Sequence, residues 1–177
     1  MNLDGSNQTQ LTSGSAKNYP AISADGKWVF FNSTEDWHLW RVPIDGGEAT
    51  QLTDFVSGMP SVSPDGKTIA CIGRDESKRE LLILPFEGGQ PIKKLEFFGW
   101  ISRLQWTNDG KTLIYAGERN GRSAIIRQSL NGALIEDPLS LDTDELFDFG
   151  YSVDGRSLAI TRGAWLSDIV LISGLRQ

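Results

Sequence analysis

The chain of 177 residues contains one cysteine, Cys71, and one histidine, His38. A lone cysteine excludes an internal disulfide, and its place in the apolar run Thr68-Ile69-Ala70-Cys71-Ile72 marks a small buried hydrophobe. A single histidine excludes a His-rich metal cluster, and any Ser-His-Asp triad would have to use His38. No Gly-x-Ser-x-Gly elbow occurs, since Gly150-Tyr151-Ser152-Val153-Asp154 belongs to a repeat. No glycine-rich loop opens a helix to cradle phosphate. The acidic stretch Asp142-Thr143-Asp144-Glu145 with Asp148 lacks the spacing of an EF-hand loop and predicts a solvated connection. Apolar runs reach only about six residues, too short for a membrane-spanning helix or a secretory signal core. No apolar period near 3.6 is sustained, so helices should be almost absent. A net charge of −6 argues against a nucleic-acid backbone as partner. Together these absences predict a chain that is not an enzyme, takes no cofactor or metal and inserts in no membrane.

Glycine, by contrast, is plentiful, with 19 residues, and it is periodic. Asp-Gly followed by Lys or Arg stands at Asp25-Gly26-Lys27, Asp65-Gly66-Lys67, Asp109-Gly110-Lys111 and Asp154-Gly155-Arg156, at spacings of 40, 44 and 45 residues. A period of that size marks a repeat architecture. Each phrase lies between strand-like runs and predicts a two-residue hairpin loop with positive φ. A second turn signal recurs out of phase at Leu3-Asp4-Gly5, Asp45-Gly46-Gly47, Glu87-Gly88-Gly89 and Leu130-Asn131-Gly132. One repeat therefore reads as strands a and b around Asp-Gly and strands c and d around the second turn. Four antiparallel strands in about 42 residues make a β-propeller blade.

The repeat resembles that of the TolB-like, WD-like propeller family. Met59-Pro60-Ser61-Val62-Ser63-Pro64-Asp65-Gly66-Lys67 matches its pattern closely, and Tyr19-Pro20-Ala21-Ile22-Ser23-Ala24-Asp25-Gly26-Lys27 lacks only the second proline. The later repeats, with Gln105-Trp106-Thr107-Asn108-Asp109-Gly110 and Tyr151-Ser152-Val153-Asp154-Gly155, depart further. The closing stretch through Asp168-Ile169-Val170-Leu171-Ile172 resembles the end of propellers attached to bacterial sensor kinases and winged-helix regulators. The resemblance implies a non-catalytic scaffold that binds a protein or peptide, in the periplasm if its role follows TolB. Two other propeller roles stay open. One is gating a separate prolyl-oligopeptidase-like catalytic domain, and the other is that of a carbohydrate-binding or lyase propeller.

The expected architecture is an all-β propeller of four blades and about sixteen strands. Residues 7–12 form a lone d strand, followed by blades at 19–53, 59–95 and 103–138 and an incomplete blade at 147–172. The N-terminal strand would complete the last blade, because closure removes an exposed sheet edge. The chain would then close alone as a monomer, or belong to a larger ring.

In such a meander the a–b and c–d turns share one end, and the b–c and d–a connections share the other. Tight hairpins are expected at the first end and longer, variable loops at the second. The b–c loops place Trp37, His38, Arg74, Arg79, Arg119, Arg122, Arg162 and Trp165 there. The d–a loops add Tyr19, Phe55, Phe97, Phe98, Trp100 and Arg103. Tryptophan, tyrosine and arginine are enriched at interaction hot spots, so this end is the candidate binding face. Trp28, Trp40 and Trp106 fall inside strands and read as blade core.

Overall fold

The computed structural model describes residues 4–74, 78–119, 121–135, 145–152 and 155–164, with the side chains at 100–102 and 119 outside that description. These residues form fourteen strands and no helix, so the all-β expectation holds. The first sheet is β1 (Lys17–Ile22), β2 (Trp28–Ser33), β3 (Leu39–Pro43) and β4 (Thr50–Gln51). The second is β5 (Ser57–Val62), β6 (Thr68–Arg74), β7 (Arg79–Pro85) and β8 (Lys93–Glu96). The third is β9 (Gly99–Trp106), β10 (Thr112–Arg119), β11 (Arg122–Ser129) and β12 (Leu134–Ile135). The fourth, as described, is the hairpin β13 (Glu145–Tyr151) and β14 (Leu158–Gly163). All neighbours are antiparallel and in chain order.

The repeated Asp-Gly turn is wider than a two-residue hairpin. Ser23 N–H donates to the Trp28 carbonyl and Gly26 N–H to the Ser23 carbonyl, both at 2.9 Å. Among the described residues of these turns only the glycine has positive φ, at 71°, 68°, 67° and 69° in the four repeats. The aspartate serves through its side chain instead. Ser23 Oγ donates to Asp25 Oδ1 at 2.6 Å, and the same oxygen accepts from Lys27 N at 3.1 Å. Ser63 with Asp65 and Thr107 with Asp109 repeat the arrangement. Asp154 lies outside the described residues, but Ser152 still accepts from Ser157 N at 2.9 Å.

These hydroxyl donors, followed by the lysine amides, hold the carboxyls of Asp25, Asp65 and Asp109 below their ordinary value of 3.8. A carboxylate with a lowered native pKa contributes stability above its unfolded value and loses it as pH falls toward the native one. Thermal unfolding followed from about pH 7 to about pH 3 should therefore show stability falling on the acid side, and Asp65→Asn should flatten that fall.

Successive sheets pack face to face. In the second sheet the side chains alternate with the two-residue period of a strand. Ile69, Cys71, Leu82 and Leu84 meet Phe30, Leu39 and Leu52 of the first sheet. Ala70, Ile72, Leu81 and Ile83 meet Leu104, Trp106, Leu113 and Tyr115 of the third. Ile114, Ala116 and Ile125 pack on Leu146 and Phe149 of the fourth. A sheet buried on both faces explains why its strands are near-continuous apolar runs. The first strands of successive sheets are neighbours, β1 beside β5 and β5 beside β9.

Arg41 fastens the first seam. It is 8% exposed, lies 4.4 Å from the Trp28 ring and 5.2 Å from the Phe86 ring, and donates to the Phe86 carbonyl and to Glu87. Glu87 is largely exposed, so the charge pair itself contributes little. Packing and the cation–π contacts carry the interaction, while Arg41 Nε stays buried without a partner. Arg41→Ala should cost about 2–3 kcal/mol, and Arg41→Met, which keeps the packing and removes the orphaned donor, about 1 kcal/mol or less. Urea unfolding of the two variants checks the ordering.

The N-terminal segment departs from expectation. Residues 7–12 form no strand. Positive φ at Asn7 and Gly14 turns the chain, and Gln8 and Gln10 bond locally to the carbonyls of Gly5 and Thr12, in place of a ladder. Leu11, Thr12 and Ser13 instead line a pocket of about 250 Å³ beside Phe31 and Trp40 of the first sheet. The strand expected at 168–172, with which 7–12 would pair, lies outside the described residues. N-terminal strand closure is therefore not a feature of the described fold.

Candidate functional site

Loop length does not separate the two ends as expected. The c–d connections at 44–49 and 86–92 are longer than the b–c connections at 34–38 and 75–78, and β10 joins β11 through residues 120–121 alone. The glycine-rich turn of the second sheet reaches back to the preceding sheet. Gly89 N–H donates to the Leu52 carbonyl at 2.7 Å, joining the second sheet's turn to the first. Strands also run further into the b–c end than the sequence indicates. Arg74 and Arg79 end β6 and begin β7, Arg119 and Arg122 do the same for β10 and β11, and Arg162 lies in β14.

The b–c and d–a end differs in shape and chemistry. A pocket of about 810 Å³ opens there between the first and second sheets. Trp37 stands on one wall, 49% exposed, and Tyr19 and Val56 are similarly uncovered. Ser57 N–H donates to the Trp37 carbonyl at 2.8 Å, and Trp37 N–H to the Ser33 carbonyl at 3.0 Å. The indole therefore sits on a backbone fixed to both sheets. Asn32, 1% exposed, forms part of the floor, and its Oδ1 has no hydrogen-bond partner. Gly58 passes beside it, so that a Cβ there would lie 3.6 Å from the carboxamide. Arg74 and Arg79, at the paired ends of β6 and β7, also line the pocket.

Tyr19 and Met59, which also line the pocket, have φ of 52° and 55° although each precedes a proline. That conformation is costly for a residue with a Cβ, and proline disfavours helical conformations in the residue before it. Both sit at the same point of the repeat, where the register shifts between Asn18 and Ala21 and between Gly58 and Ser61. The strain thus belongs to the repeat, and its consequence is local: it aims two large side chains at the seam.

Of the residues singled out from sequence, the structure brings Trp37, Arg74 and Arg79 together. His38 lies apart, its Nδ1 2.9 Å from Gln51 Nε2 and 3.5 Å from Asp36 Oδ2. Arg103 is taken up by a bridge between the third and fourth sheets, Nε to Asp148 Oδ1 at 3.1 Å and Nη2 to Oδ2 at 3.2 Å. The guanidinium holds the Asp148 carboxyl below its ordinary value. Arg103 and Trp100 were expected in a loop, and both belong to β9, because that strand starts at Gly99. Arg122 and Arg162 lie away from the pocket. Trp165 and the side chains of Trp100 and Arg119 fall outside the described residues. Sequence reasoning missed Asn32 and Met59. Asn32 is the one strongly polar side chain in the run Trp28-Val29-Phe30-Phe31-Asn32, which was the available signal.

No protein-family model matches the chain. Among curated relatives, it is 30% identical over 131 residues to an uncharacterised protein of Agrobacterium fabrum, covering 65% of this chain and 45% of that one. It is 36% identical over 93 residues to Tricorn protease homolog 1 of Streptomyces coelicolor, covering 50% of this chain and 8% of the relative. It is 23% identical over 167 residues to the Tol-Pal system protein TolB of Francisella tularensis, covering 88% and 38%. Among solved structures it superposes on TolB of Acinetobacter baumannii with a TM-score of 0.76 at 24% identity, covering 89% of this chain and 41% of that one. The chain thus spans less than half the length of each of these proteins. In fold, this chain is built of β-propeller sheets like those of TolB.

Proposed function

We propose that the chain is a non-catalytic binding module that presents its b–c and d–a end to a protein or peptide partner. The observation that carries this is the pocket at that end, where exposed Trp37 and Tyr19 meet two arginines on a backbone fixed by hydrogen bonds to both sheets. Aromatic and arginine side chains on a rigid support bind at low entropic cost. Two further features fit a module without chemistry of its own. Cys71 is fully buried, and that burial pushes its thiol up to about 12, far from a reactive thiolate. The His38 imidazole meets Gln51 and Asp36, and among the described residues no serine hydroxyl or cysteine thiol partners its ring.

Affinity purification of the tagged chain from its own cells tests the proposal. Partners held by the unaltered protein should be lost when Trp37, Arg79, Arg122 and Trp165 are replaced by alanine, and kept when Ala24 and Asp45 at the opposite end are changed. Retention of every partner by the fourfold variant overturns it. A second role, as the propeller beside a peptidase domain, is favoured by the likeness to the Tricorn protease homolog. A catalytic domain encoded in the same reading frame would distinguish it.

A further inference from the structure

Arg74 and Arg79 are paired directly across β6 and β7 in register. Like charges in directly opposed positions destabilise a strand pair. Glu80, next to Arg79 in β7, is committed elsewhere, with Oε1 2.8 Å from Lys78 Nζ and Oε2 3.8 Å from Lys94 Nζ. Among the described residues neither arginine has an ion-pair partner, while Asp75 and Glu76 between them lie outside that set. The pair therefore brings two cations to a pocket that Trp37, Tyr19 and Met59 also line. In the same pocket Asn32 Oδ1 lacks a donor. A buried acceptor left unpaired in a native fold calls for an explanation, and a bound donor is one.

We propose that this seam pocket is a subsite for an acidic, apolar peptide segment. An aromatic or large aliphatic side chain enters against Trp37, the carboxylate of a neighbouring residue lies between Arg74 and Arg79, and a peptide N–H supplies the donor that Asn32 lacks. The inference rests on the b–c and d–a end being the docking face. Its volume falls within the range of ligand sites, about 300–1,000 Å³. Guanidinium groups suit a carboxylate because they offer paired donors in a planar fork. Two cations on a chain of net charge −6 are too few for a phosphate backbone, whereas one carboxylate matches them.

The test is ¹⁵N NMR titration of the full chain with two blocked peptides, acetyl-Ser-Phe-Glu-Ser-amide and its Gln counterpart. Shifts should centre on the Trp37 indole, Gly58 and the arginine side chains, and the Glu peptide should bind roughly tenfold more tightly, as one charge-assisted contact allows. Arg74→Gln with Arg79→Gln should bring the Glu peptide down to the Gln peptide while leaving the latter unchanged. Trp37→Ala should weaken both equally. Equal binding of the two peptides, equal loss of both in the arginine variant, or no binding at all overturns the inference. Shifts elsewhere on the same end overturn the subsite and leave the docking face standing, whereas shifts on the Asp-Gly end overturn both.

Discussion

Phe30→Ala should lower stability by about 4 kcal/mol, toward the upper end of what truncating one core side chain costs. Phe30 has no exposure and sits at the centre of the seam between the first two sheets. Its ring meets Phe86 edge-on, with centroids 5.5 Å apart. Truncation removes most of a buried aromatic and leaves a cavity whose walls, Ile69, Leu82 and Leu84, are fixed in a neighbouring ladder and cannot close in. Phe30→Leu, which keeps much of the volume, should cost about 1–1.5 kcal/mol. Guanidinium unfolding of both variants checks the ratio. Equal small losses would mean that the two sheets do not share this core.

Gly88→Ala should cost roughly 3 kcal/mol, against about 1 kcal/mol for Gly46→Ala. The two glycines hold equivalent places in the second turn of successive repeats, with φ of 84° and 88°. Both variants bear the strain of an L-residue in a left-handed conformation. Only Gly88 also lacks space, because a Cβ there would lie 2.4 Å from the Leu52 carbonyl oxygen and 2.8 Å from Leu52 Cα. Those are backbone atoms, so the whole turn must withdraw. Withdrawal stretches the bond from Gly89 N–H to Leu52 and moves Phe86 and Glu87 away from Arg41. At Gly46 a Cβ meets nothing within 4 Å. The difference between the two variants therefore measures the contact between sheets, with intrinsic backbone strain cancelled. Urea unfolding of the pair reads that difference. If they lose the same stability, the turn does not dock as described.

The blade itself is legible in the sequence because its signals are local. A glycine that must take positive φ and an apolar run that must bury both faces can each be recognised from a few neighbouring residues. The aspartate's role is harder to read for a related reason. Asp-Gly is a hairpin signal, but the residue that fixes this turn is Ser23, Ser63 or Thr107, two positions earlier, whose hydroxyl joins the carboxylate to the next strand. The pattern Ser/Thr-x-Asp-Gly is present in all four repeats and carries that information.

The candidate site is legible only in part. Trp37, Arg74 and Arg79 stand out by residue type and by their place in the repeat. What joins them is a seam between sheets, and its floor comes from Asn32 and Met59, whose importance depends on contacts about 27 residues apart in sequence. The same limit hides Arg41, which resembles any strand arginine until Phe86 and Glu87 are folded against it. It also explains Arg103. A loop arginine and a strand arginine look alike in sequence, and only the packing of β9 beside β13 shows that its charge is spent on Asp148.

The central claim is that binding occurs at the b–c and d–a end and not at the Asp-Gly end. Site-specific photo-crosslinking in living cells tests it most directly. A benzophenone side chain is placed in turn at Trp37, at Arg79, at Ala24 and at Asp45, and crosslinked products are compared after identical exposure. Discrete products from positions 37 and 79, absent from 24 and 45, are the predicted result. Products confined to positions 24 and 45 would contradict it.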